Sequence, residues 1–60
     1  MERRIDGYKL WGHARTPVRR ETEKGAISLA EKLKRQGKHG IIERVEVDEN
    51  GIHFVQIGKF

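Results

Sequence analysis

The chain has 60 residues and no cysteine, with 13 Lys or Arg against nine Asp or Glu and a formal net charge of +4 at pH 7. These figures exclude a disulfide scaffold and a thiolate metal centre, and they leave room for one domain, residues 1–60, with a thin stability margin. No apolar run approaches the eighteen or so residues of a membrane span, and Met-Glu-Arg-Arg-Ile-Asp lacks the apolar segment of a signal peptide, so a cytoplasmic setting without membrane contact is expected.

In chain order, residues 1–4 are expected to fray. Residues Ile5 to Arg15 then alternate as a strand, with Tyr8, Leu10, Gly12 and Ala14 on one side and Lys9, Trp11, His13 and Arg15 on the other. Gly12 is expected to mark a bulge or a close approach by the helix. Thr16 to Glu21 reads as a basic connection, because Pro17 pushes Thr16 towards an extended backbone and Arg19-Arg20 shows no periodicity.

Thr22 to Gly37 carries the clearest pattern. At 100° per residue, Thr22, Ala26, Leu29, Ala30, Leu33 and Gly37 fall on one stripe, with Lys24, Ser28, Glu31 and Arg35 opposite. Thr22 suits the N-cap, Glu23 the first turn, Lys32, Lys34 and Arg35 the last turns, and Gly37 the closing left-handed residue.

A second strand is expected from Ile41 to Val47, followed by a hairpin over Asp48 to Gly51. This register pairs Val47 with Ile52, Glu46 with His53 and Val45 with Phe54. It predicts that Val45, Val47, Ile52 and Phe54 face the helix, and that Ile42, Arg44, Val55, Ile57 and Lys59 lie on the far side. The expected fold class is α+β: a β-α-β-β unit whose three-stranded mixed sheet, order 1-3-2, carries one helix on one face. A right-handed crossover would make the first two strands parallel.

One helix shields one sheet face, so the other is expected to form an interface built on Trp11, Ile42, Val55 and Ile57. A homodimer would cover it. The charge is uneven, with eleven basic and five acidic side chains in residues 1–40 but two and four in residues 41–60. That balance points to nucleic acid, with Arg15, Arg19, Arg20, Lys34, Arg35 and Lys38 as expected phosphate contacts. The functional expectation is a small basic regulatory or accessory module acting on nucleic acid as a homodimer. The alternative is a protein-binding adaptor or inhibitor that uses the open face or a sheet edge. His13, His39 and His53 are dispersed without zinc-site spacing, no phosphate loop or nucleophile motif occurs, and the chain is short for a substrate pocket. No enzyme, metal or cofactor is therefore expected.

Overall fold

In the computed structural model, which describes residues 2–60, the elements are β1 (Arg4–Trp11), β2 (Val18–Arg20), α1 (Glu23–Arg35), β3 (Ile41–Asp48) and β4 (Gly51–Lys59). They form a four-stranded sheet of order β2-β1-β3-β4, in which every neighbouring pair is antiparallel. The helix packs on β1, β2 and β3.

The helix forms as its sequence dictates. Thr22 is the N-cap and its hydroxyl accepts the Gly25 N–H at 3.1 Å. At the other end Gly37 takes φ +80°, and the N–H groups of Gly37 and Lys38 return to the carbonyls of Lys34 and Leu33, both at 3.0 Å. These two bonds form a Schellman closure, which satisfies carbonyls that would otherwise end the helix unpaired. Ala26, Ala30 and Leu33 are the buried stripe. Two alanines there let the helix lie close to the sheet, where Tyr8, Leu10 and Ile42 complete the core and Leu29, Ile57 and Phe60 pack at its margin.

The expected three-stranded mixed sheet of order 1-3-2 is corrected on three points. Residues Val18–Arg20, read as a loop, form a short strand that pairs Val18 with Leu10, Arg19 with Lys9 and Arg20 with Tyr8. Three residues after a proline carry too little pattern to be seen alone; the strand exists because β1 offers it a ladder. The crossover therefore joins β2 to β3, which run parallel to each other with β1 between them. β1 and β3 are antiparallel, and the centre belongs to them, with β4 at the edge.

The third correction concerns faces. The hairpin register is as expected, with Val47 opposite Ile52, Glu46 opposite His53 and Val45 opposite Phe54; the added pair Asp48–Gly51 leaves Glu49 and Asn50 as the turn. Yet the sides are reversed for all of the expected residues except Lys59, which the bulge at Ile57 returns to the helix-free side. Ile42 pairs with Leu10 beneath the helix, so by alternation Arg44, Glu46 and Val55 share the helix side, and Ile57 packs there too. Val45, Val47, Ile52 and Phe54 face away. Both sets contain apolar residues, so periodicity finds two competing stripes, and the Leu10–Ile42 pair selects one.

Two glycines hold tight geometry. Gly7, at φ +114°, sits in the bulge between Ile5 and Tyr8. Its missing side chain leaves space for the Arg19 guanidinium, which donates to the Asp6 carbonyl at 2.6 Å. Gly40 lies against the Trp11 carbonyl and the Phe60 ring, and exchanges two backbone hydrogen bonds of 2.9 Å with Phe60. The close approach anticipated at Gly12 is to Gly40, in the link after the helix.

Gly40→Ala would drive a Cβ into the Trp11 carbonyl oxygen and is expected to abolish cooperative folding. Leu10 is fully buried, so Leu10→Ala is expected to cost about 2–5 kcal/mol. Urea denaturation followed by Trp11 fluorescence reads both.

Candidate nucleic-acid interface

The helix-free face begins from a simple consequence of strand geometry. Because Tyr8 and Leu10 are buried under the helix, Lys9 and Trp11 must point the other way. Val45 and Phe54 share that side, and the Lys9 Nζ lies 5.8 Å from the Trp11 ring centroid and 5.7 Å from that of Phe54. Such distances place the ammonium in cation–π range of both rings. None of the ion pairs among the described residues involves Lys9.

Val45 is buried although no helix covers it. Phe54 flanks it on β4, and on β1 the adjoining position is the Gly7 bulge capped by the Arg19 guanidinium. The face thus has a small apolar floor with exposed aromatic surface above it: Phe54 is 51% exposed and Ile52 62%. Trp11 is half-buried, and its enclosed indole N–H has no acceptor among the described residues. Register places Lys59 beside Ile41 and Arg4 beside Val47 on this same side, with the Glu43 carboxylate opposite Lys9.

One end of the sheet is strongly basic. Gly12, Gly40 and Phe60 meet there, and the His13 and Phe60 rings lie 5.9 Å apart. The segments that converge, residues 12–17, 34–40 and 58–60, bring Arg15, Lys34, Arg35, Lys38 and Lys59 and no acidic side chain. Trp11 closes β1 at this end. The opposite end holds the Glu49–Asn50 turn.

The expected contact residues are thereby separated. Arg15, Lys34, Arg35 and Lys38 gather at the basic end. Arg19 and Arg20 are neighbours on a strand and point to opposite faces; Arg19 is held by Asp6 and by Glu21 at 3.1 Å, and Arg20 donates to the Arg19 carbonyl at 2.9 Å. Of the expected apolar interface, Trp11 is on the helix-free face, whereas Ile42 is buried beneath the helix and Val55 and Ile57 lie on the helix side. Sequence reasoning set Lys9 and Trp11 on one side of the first strand but missed Phe54 as their neighbour, having assigned it to the helix side. The signal was present in the period-2 pattern and lacked only the correct side.

Beyond the reach of the helix, its side of the hairpin is covered by charge. Glu46 accepts from Arg44 at 2.6 Å and from Arg3 at 3.2 Å; Asp48 lies 3.0 Å from His53 Nε2 and accepts the Asn50 N–H at 2.8 Å. The Arg44 hydrogen bond, with Arg3 second, holds the Glu46 carboxyl below its ordinary pKa, and the His53 contact does the same for Asp48. Among the described residues no cluster of three His, Asp or Glu is arranged to hold a metal ion.

Comparison with protein-family profiles, with curated protein sequences and with solved structures finds no match to this chain. The surface is therefore read from its own chemistry.

A carboxylate whose pKa is depressed on folding contributes stability above its unfolded pKa and loses that contribution as pH falls through the folded value. The melting temperature is thus expected to fall on acidification below about pH 4, where Asp and Glu take up protons. The combined Glu46→Gln, Asp48→Asn variant should show a shallower fall across the same range in thermal melts.

Proposed function

We propose that this protein is a single-stranded nucleic-acid-binding module that uses the helix-free sheet face. The observation that carries the reading is the Lys9 ammonium held between the Trp11 and Phe54 rings on that face, with the basic end, which holds no Asp or Glu side chain, adjoining Trp11. Aromatic surface offers stacking to unpaired bases, and basic groups along the same path neutralise phosphates. A strand laid across Phe54 and Trp11 continues over the end that bears Lys59, Lys38 and Arg15. A duplex hides its base faces in the stack, so this surface favours unpaired nucleotides.

Phe54 and Ile52 also suit a protein partner, which is the second reading, and salt separates the two. Phosphate binding releases counterions, so affinity for a single strand falls with a slope of about −0.7 per phosphate neutralised. An apolar protein contact is far less sensitive.

Trp11 is the single tryptophan and serves as the reporter. Titration with single-stranded RNA and DNA oligonucleotides at low salt is expected to quench its fluorescence, with clear preference over duplex. Phe54→Ala is expected to weaken binding by about 1–3 kcal/mol, the size of one base–aromatic stack. Lys9→Gln should reduce the salt slope by about 0.7, one phosphate contact. Absence of binding at low salt to either strand would overturn the reading and favour the protein partner.

A further inference from the structure

The two edges of the sheet are unlike. β2 is three residues long, follows Pro17 and carries Arg19 and Arg20, features that discourage pairing with another chain. β4 runs nine residues without proline, and Lys59 is its one Lys, Arg, Asp or Glu. From Gly51 to Gln56 it carries no Lys, Arg, Asp or Glu and no bulge, so this stretch lacks the usual defences of an edge; the bulge at Ile57 and Lys59 lie beyond it.

The backbone directions on β4 follow from one pair. Gly40 and Phe60 exchange both their backbone hydrogen bonds, so alternation along the ladder makes Ile42–Gly58, Arg44–Val55 and Glu46–His53 hydrogen-bonded pairs, with Ile57 the extra residue at the register shift. Ile52, Phe54 and Gln56 belong to the intervening pairs. Their N–H and C=O groups therefore point outward, as a row that another extended strand can pair with.

We propose that β4 pairs antiparallel with β4 of a second copy of this chain, about a twofold axis through Phe54. This register sets Phe54 opposite its own mate and Ile52 opposite the mate of Gln56, so all three outward residues pair on each strand. The sequence Ile52 to Ile57 has no Lys, Arg, Asp or Glu, so no like charges meet at the centre. The twofold also brings the Lys59 end of each strand beside the Asp48–Glu49 turn of the other, basic against acidic. The product is a continuous eight-stranded sheet with two aromatic and basic surfaces side by side. That last consequence rests on the nucleic-acid reading; the pairing does not.

Sedimentation of the unmodified chain from micromolar to millimolar concentration is expected to show a monomer–dimer equilibrium. Gln56→Pro removes an outward N–H without touching a bond to β3, and is expected to give a monomer with unchanged far-ultraviolet circular dichroism. In this cysteine-free chain the Ile52→Cys, Gln56→Cys double variant places thiols on opposed residues about 5.5 Å apart at Cα, within disulfide range. Mild oxidation is expected to yield a covalent dimer, whereas Lys24→Cys on the helix should not. A monomer at every concentration, or a dimer that survives Gln56→Pro and yields no cross-link, overturns the proposal. Oligonucleotide binding by the monomeric variant would leave the nucleic-acid reading standing on its own.

Discussion

The arrangement of this small domain depends on the burial of Leu10. It sits on β1 between Val18 and Ile42 and has no exposed surface. Ala26, Ala30 and Leu33 close over this region from the helix. Burying an aliphatic side chain of this size contributes about 1.5–3 kcal/mol, a large share of the stability available to sixty residues. Once Leu10 is inside, strand geometry places Lys9 and Trp11 outside. The register then carries the same decision to β3 and β4.

Coverage of the sheet is divided among three kinds of group. The helix covers the part built from β1, β2 and the start of β3. The hairpin beyond it carries Arg44, Glu46, Asp48 and His53 on the same side, linked in pairs with one another and with Arg3 from the segment before β1. These pairs sit near solvent, where each contributes modestly, and their consequence is to keep that region polar. On the other face no helix packs; Arg19 folds over the Gly7 bulge and Lys9 lies over Trp11 and Phe54. The aromatic surface of this face therefore stays open, which is why the functional reading rests there.

The charge distribution adds direction to that surface. The basic end is assembled from three segments far apart in sequence, joined by the Gly12–Gly40–Phe60 contacts. A flexible ligand with regularly spaced negative charge would be drawn towards this end and across Trp11. Arg19, prominent in the sequence as half of an Arg-Arg pair, instead serves the fold by tying β2 to β1.

The sequence by itself determined the helix with both caps, the β3–β4 pairing and the presence of one uncovered sheet face, because each follows from local periodicity, capping chemistry or turn residues. Only the tertiary structure decided the strand Val18–Arg20, the sheet order and which apolar stripe turned inward. A three-residue strand has too few side chains to declare a period and forms only against the ladder offered by β1. β3 and β4 carry apolar residues on both faces, so their alternation is degenerate until Ile42 meets Leu10. That one contact moved Ile42 into the core and left Phe54 beside Lys9 and Trp11 in the open.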